Sequence, residues 1–208
     1  MSSATKIDYK RELSELYAPG RTPVIVEVPE FSYLMIDGHG DPNTAAEFSE
    51  AVEALYSVAY GAKFAVKRAP DGIDYVVMPL EGLFWAPDMS VFATGDKSSW
   101  EWTLMIVQPD CVTGEIVDEA RAAAEGKKSL EAIARVRSER FAEGRAAQIL
   151  HIGPYAAEGP TIQQLHAFIA EHGYQLAGKH HEIYLSDPRR TAPERMKTVI
   201  RQPIVEAS

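Results

Sequence analysis

The chain has 208 residues, of which 46% are apolar, so its composition suits a folded domain with a continuous core. The 30 acidic side chains outnumber the 21 basic ones, and the net charge of −9 disfavours nucleic-acid binding. No window reaches the roughly 18 apolar residues of a membrane span, and residues 1–10 lack a signal-peptide apolar region. Cys111 is the single cysteine, which excludes a disulfide framework. We therefore expect a soluble cytoplasmic protein without a nucleic-acid or membrane partner.

The first half of the chain, after a polar lead of about twenty residues, predicts a strand, a helix and two more strands. The strand segments have apolar residues in alternation: residues 31–37, 75–85 and 100–107. A capping box at residues 44–47 predicts the start of the helix, and Gly61 predicts its end. Residues 86–99, rich in Pro, Gly, Asp and Ser, predict a loop between the second and third strands.

The second half repeats this order after a charged middle segment that predicts two short helices. Residues 146–152 predict a strand, and Pro160 predicts the first turn of a helix that Gly173 ends. Residues 180–185 and 196–201 predict the last two strands.

The repeated order predicts an α+β fold built from two tandem βαββ units that are related by a pseudo-twofold axis. Residues 103–109 (TLMIVQP) and 197–203 (KTVIRQP) are similar at equivalent places, which supports a duplication. We expect one domain over 1–208: repeat one at about 22–110, a helical connector at about 111–142, and repeat two at about 143–206.

A duplicated unit of this kind predicts a ligand pocket. Each helix buries one face of its three-stranded sheet, and two such sheets paired at their edges leave a concave seam. We expect that seam on the helix-free face, lined by alternate strand residues, where this sequence holds its aromatic side chains.

Four segments resemble the GyrI-like small-molecule-binding family, in particular its stand-alone bacterial branch. They are residues 180–188 (HHEIYLSDP), 196–203 (MKTVIRQP), 79–85 (PLEGLFW) and 100–106 (WEWTLMI). The resemblance covers residues 5–205 and implies the tandem βαββ fold, which also serves as the multidrug-binding domain of some transcription activators. About twenty residues precede the first strand, too few for a helix-turn-helix domain, so we do not expect a one-chain transcription factor.

The resemblance also implies a function. Stand-alone members include hydrolases of cyclopropane-bearing DNA-alkylating natural products of the yatakemycin and duocarmycin kind. A pocket glutamate in the family matches Glu182 here. A carboxylate among aromatic side chains is expected to have a raised pKa, and it can take a proton from water or pair with a cationic ligand. The alternative for Glu182 is a solvent-facing strand carboxylate.

The other candidates are mostly aromatic. Glu81 occupies the position in the first repeat that corresponds to Glu182. It either lines the pocket or accepts a structural hydrogen bond. Trp85, Trp100, Trp102 and Tyr184 are candidates for stacking on a planar ligand, although core packing explains a tryptophan equally well in general. Tyr155, after a Gly-Pro turn, is a candidate proton or hydrogen-bond donor to a developing oxyanion, or else it covers a helix end.

Two functions stay open at this point, and neither needs a cofactor or a metal. His180 and His181 are adjacent on a strand and point to opposite faces, so they cannot chelate one ion. The first function is a cofactor-independent hydrolase that opens a cyclopropane ring. The second is a non-catalytic module that binds or sequesters hydrophobic or cationic aromatic compounds. The sequence does not identify a protein partner, and inhibition of a gyrase rests on the family name alone.

Overall fold

A computed structural model describes residues 6–70, 72–87 and 97–207 of the chain. Its helices are α1 (Tyr9–Glu12), α2 (Ser14–Tyr17), α3 (Ala46–Arg68), α4 (Gly114–Glu125) and α5 (Gly159–Glu171). Its strands are β1 (Val24–His39), β2 (Leu80–Trp85), β3 (Glu101–Gln108), β4 (Arg137–Ile152), β5 (Tyr174–Leu176), β6 (His180–Tyr184) and β7 (Lys197–Glu206). Short 3₁₀ helices cover Glu131–Arg135, Tyr155–Ala157 and Pro193–Arg195. In the described ranges, no helix has the length and apolar character that crossing a membrane requires.

The strands are hydrogen-bonded in the order β4-β1-β3-β2-β6-β7-β5, and β4 also pairs with β7. β1 is antiparallel to β3, and β7 is antiparallel to β4, β5 and β6. The fold is therefore the mixed α+β class with antiparallel pairing that the sequence predicts.

The chain divides into two compact units, and the long strands β1 and β4 each contribute to both. The first unit comprises the described parts of Met1–Tyr9, Phe31–Met78 and Phe84–Phe141, and the second those of Lys10–Glu30, Pro79–Leu83 and Ala142–Ser208.

In the first unit, α3 is longer than the sequence predicts. Gly61 was expected to end it, but the helix continues to Arg68. A Cβ atom added at Gly61 would lie 3.2 Å from the Cβ of Ala120 on α4, so the glycine allows a close approach of two helices. The prediction that Gly61 ends α3 was therefore wrong, because this glycine serves the packing of α3 against α4.

The predicted capping box at the start of α3 is also wrong. Ala45 is the N-cap residue, and no side chain caps the helix. The Glu47 carboxylate instead forms ion pairs with Arg135, at 2.8 Å, and with His39, at 3.2 Å. These partners, distant in sequence, take the carboxylate that the capping box needs.

The second unit has a core between α5 and the strands β4 and β7. Its buried members are apolar: Ala147, Ile149, Leu165, Ile169, Ile200 and Ile204. The apolar stripe predicted for α5 is thus confirmed. The helix ends at Glu171, and Gly173 follows with φ +79°, a backbone conformation that favours glycine.

Several boundaries differ from the prediction. β4 begins at Arg137, inside the segment expected as a helical connector, and β5 was not predicted. β2 begins only at Leu80, because Tyr75 pairs with Ile7 in an isolated bridge. Part of the loop expected at 86–99 lies outside the described residues.

The polar N-terminal lead contains two short helices that the sequence did not predict. It forms α1 and α2, and Leu16 and Tyr17 of α2 are buried in the second unit. This segment takes part in the site described next.

Candidate functional site

Strand β6 carries the first candidate, Glu182, and its pairing with β7 fixes which way the side chain points. Glu182 lies opposite Ile200 in the antiparallel register, so both side chains project from the same face. Ile200 packs in one cluster with Leu165 of α5. Glu182 therefore lies on the face that α5 covers. The expectation of a helix-free face was wrong for this residue.

The Glu182 carboxylate is held in a partly buried cluster of polar and aromatic groups. Its Oε1 lies 3.1 Å from Nε2 of His180, and the Glu182 side chain is 13% exposed. The Tyr184 hydroxyl is also a hydrogen-bond partner of Glu182; burial first, and then the Glu182 charge, raise the pKa of Tyr184 well above its usual value. Tyr155 packs edge-on against Tyr184, with ring centroids 5.5 Å apart. The structure thus brings together Glu182, Tyr184 and Tyr155.

Helix α5 adds an imidazole to this cluster. Burial and the nearby His180 lower the pKa of His166, so His166 is neutral at pH 7. A neutral imidazole does not compete with a cationic or neutral ligand for the Glu182 charge.

The opposite face of β6 holds a second, fully buried cluster around His181. The His181 ring bonds Glu143 through Nδ1 at 2.8 Å and Glu81 through Nε2 at 3.0 Å. Arg201 donates from Nη1 to Glu143 at 3.1 Å, and the Tyr17 hydroxyl donates to Glu81 at 2.9 Å.

The bonds of Arg201 continue this network to the N-terminal segment. Arg201 also donates to the Leu16 carbonyl at 2.9 Å and to the Gln148 side chain at 2.9 Å. Gln148 in turn donates to the Glu15 carbonyl. Glu81 therefore lies on the face opposite Glu182, as a structural hydrogen-bond acceptor, which was one of the two roles considered for it.

Charge balance in this buried cluster requires a protonated His181. Burial lowers the pKa of His181, but the Glu143 charge and the hydrogen bonds from Glu143 and Glu81 outweigh it and raise that pKa to about 9. Burial likewise opposes the charged form of Glu143, yet His181 and Arg201 lower the pKa of Glu143 to about 2. Two carboxylates thus face one imidazolium and one guanidinium, and the buried charges cancel.

The three tryptophans belong to the first unit. Trp102 is fully buried, with its ring against Gly38 and 5.2 Å from the ring of Phe48, which is core packing. Trp100 packs on Phe84 and lines an open cavity of about 580 Å³ in this unit. Trp85 is partly exposed at the end of β2.

Four members of the two clusters on β6 were not identified as site residues from the sequence: His180, Tyr17, Glu143 and Arg201. His180 has a signal that could have found it, because period-two spacing places it on the same face as Glu182. The other three come from segments distant in sequence, and no local pattern marks them. Among the described residues, no group of three or more His, Cys, Asp or Glu side chains is arranged to hold a metal ion.

A model of the GyrI-like small molecule binding domain matches residues 21–205. The chain belongs to this family. No curated protein matches it.

Three crystal structures from Listeria innocua resemble this GyrI-like chain over 100% of their own lengths. An uncharacterized conserved protein is 41% identical over 96% of this chain, with a TM-score of 0.89. A protein described as a hydrolase is 39% identical over 96% of this chain, with a TM-score of 0.84. A second structure described as a hydrolase is 41% identical over 97% of this chain, with a TM-score of 0.85.

Membership in the GyrI-like family makes a small-molecule ligand the general expectation for the chain. The polar and aromatic cluster around Glu182 lies within the matched residues.

Proposed function

We propose that this GyrI-like protein is a hydrolase that opens the cyclopropane ring of planar, aromatic DNA-alkylating compounds. The observation that carries the proposal is the Glu182 carboxylate, which is mostly buried and is bonded to His180 and Tyr184 beside Tyr155. The two relatives described as hydrolases, at 39% and 41% identity, support the reaction class.

The proposed reaction adds one water molecule to a strained ring. Glu182 removes a proton from water as the water oxygen bonds to the less substituted cyclopropane carbon. The bond between that carbon and the spiro carbon breaks, and its electron pair moves into the conjugated dienone. The dienone oxygen becomes a phenolate and then a phenol, and Tyr155 is our candidate for the donor that stabilises this oxygen. Glu182 then releases the acquired proton to solvent and the phenolate takes up one proton from solvent, so the net change is the addition of one water and the enzyme returns to its starting state.

The remaining candidates have roles in binding under this proposal. Tyr184 offers a ring face beside Glu182, and Trp85, Trp100 and Trp102 stay candidates for stacking on the ligand. Trp102 and Glu81 have the weakest support, since each is fully buried with structural contacts of its own.

The two βαββ repeats and their pseudo-twofold relation are part of the same proposal. The registers support it: Leu104 of β3 lies opposite Ile36 of β1, and the equivalent Thr198 of β7 lies opposite His151 of β4. The acidic composition and the single cysteine favour the cytoplasm, where such an enzyme would disarm an alkylator before it reaches DNA.

The second candidate function is a binding module without chemistry. It is favoured by the family itself, which is described as binding small molecules. Glu182 would then supply charge complementarity to a cationic ligand, and the aromatic rings would supply cation–π and stacking contacts. Such a module quenches its tryptophan fluorescence on binding and releases every ligand unchanged.

One experiment separates the two functions. Purified protein is incubated with a cyclopropane-bearing dienone alkylator, and the product is followed by mass spectrometry. We expect catalytic addition of one water, lost by at least about a hundredfold in Glu182→Gln, because general-base catalysis contributes about 10²–10⁴-fold.

The matched control is Glu171→Gln, which changes an exposed glutamate at the end of α5. It should keep the activity of the unmodified protein. Unchanged compound with quenched fluorescence would assign the protein to the binding class, and full activity of Glu182→Gln would refute the role of Glu182.

A further inference from the structure

The two units differ at one buried cross-strand pair. In the first unit the pair is Ile36 opposite Leu104, and both side chains are fully buried and apolar. In the second unit the equivalent pair is His151 opposite Thr198. The register is the same in both units. The same cross-strand position therefore holds two apolar side chains in the first unit and two polar side chains in the second.

The polar pair has hydrogen-bonding groups without a partner in the described parts of the chain. The Thr198 hydroxyl is fully buried and makes no hydrogen bond there. His151 is 6% exposed; its Nδ1 lies 2.9 Å from the Thr161 hydroxyl, whereas its Nε2 has no partner. Buried polar groups in proteins are almost always bonded to protein or to ordered water, so two such atoms on neighbouring strands indicate a bound molecule.

The backbone of Gly153 lies close to the unpartnered nitrogen. A Cβ atom at Gly153 would lie 3.0 Å from His151 Nε2, and Gly153 has φ +146°. The equivalent glycine of the first unit is Gly38, and there the Trp102 ring fills the space, 2.1 Å from an added Cβ. The second unit has the buried Met196 at the position of Trp102.

We propose that His151 and Thr198 bind one buried water molecule, and that this water positions Tyr184 beside Glu182. Tyr184 lies directly opposite Thr198 on β7, on the same face as His151. The row His151, Thr198, Tyr184 therefore runs across three adjacent strands and ends at the aromatic group that contacts Glu182 and Tyr155. An imidazole nitrogen and a hydroxyl can both bond one water, because a water molecule donates and accepts and so suits either tautomer of His151.

The role of Tyr184 in this inference rests on the proposed hydrolysis, but the water site itself does not. His151 and Thr198 are positioning residues, because they act through Tyr184 rather than on the substrate. Their removal should lower kcat without changing KM, whereas a purely structural pair would change only stability.

The test combines a crystal structure with kinetics. Thr198→Val keeps the shape of the side chain and removes the hydroxyl, and Thr161→Val removes the partner of His151 Nδ1. We expect a water peak within hydrogen-bonding distance of His151 Nε2 and Thr198 Oγ1 in the unmodified protein, and its loss in Thr198→Val. We expect kcat to fall about three- to tenfold in both variants, as for the loss of one hydrogen bond in the network that orients Tyr184.

The matched control is Leu104→Val, a change at the equivalent position of the first unit, which should leave kcat unchanged. Absence of the water peak in the unmodified protein would overturn the inference, whatever the activity. A water peak with full turnover in Thr198→Val would overturn the positioning role. If the unmodified protein hydrolyses nothing while the water is present, the proposed function fails and the water site stands.

Discussion

His181→Gln offers a direct test of the buried charge cluster. The substitution keeps a polar side chain but removes the positive charge between Glu81 and Glu143. Arg201 is then the remaining cation against two buried carboxylates in this cluster. Because breaking a buried ion pair leaves an uncompensated charge, we expect a loss of about 3–5 kcal/mol in the free energy of unfolding near pH 6.

The pKa of His181 gives a second estimate and a pH dependence. A value of about 9 in the folded protein against 6.5 for the ordinary side chain corresponds to about 3 kcal/mol. The raised pKa means that the folded state binds the proton more tightly. This stabilisation is complete below pH 6.5 and is lost as the pH rises through about 9. The charged groups that face His181 are Glu81 of β2, Glu143 of β4 and Arg201, which lies opposite His181 on β7.

The assay is urea denaturation followed by tryptophan fluorescence, from about pH 6 to about pH 10, with His39→Gln as control. His39 is 80% exposed and pairs with Glu47 at the surface, so its loss should cost no more than about 1 kcal/mol. The unmodified protein should lose stability across this range, and His181→Gln should lack that part of the slope. Equal stability of His181→Gln and His39→Gln would refute an imidazolium in the cluster. A free energy of unfolding that does not change with pH in the unmodified protein would refute it as well.

Two further predictions concern the first unit, and both are measured by urea denaturation at fixed pH. Gly38→Ala places a Cβ atom 2.1 Å from the buried Trp102 ring, so we expect a loss of about 1–3 kcal/mol from overpacking; stability equal to the unmodified protein would contradict that contact. Thr113→Ala removes the side-chain oxygen that accepts from the Ile116 N–H at 3.4 Å, and we expect a loss of about 0.5–1 kcal/mol. An unchanged midpoint would show that this long cap bond contributes nothing.

Local periodicity was sufficient to predict the placement of a side chain where its neighbours in space are also its neighbours in sequence. The alternation along β6 places Glu182 and Tyr184 on one face, and the stripe on α5 identifies Leu165 as core. The N-cap at Thr113 is equally local, since its hydroxyl oxygen and the Ile116 N–H that donates to it lie within one turn.

Predictions failed where a distant segment changes the role of a residue. Glu47 has the spacing of a capping box, but Arg135 binds its carboxylate from 88 positions along the chain. For Glu81 the sequence left two roles open, in the pocket or as a structural hydrogen-bond acceptor, because its partners His181 and Tyr17 are 100 and 64 positions away. The side of the sheet that carries Glu182 depends on the pairing of β6 with β7, which the hydrophobic pattern of β6 alone does not determine.

The bond between Arg201 and the Leu16 carbonyl has a consequence for how the chain folds. It joins residues 185 positions apart. During synthesis the segment with Glu15 and Leu16 emerges well before its partners Gln148 of β4 and Arg201 of β7. The Leu16 carbonyl therefore has no Arg201 partner until β7 has left the ribosome. The first unit can assemble earlier, so we expect its formation to precede closure of the second during synthesis.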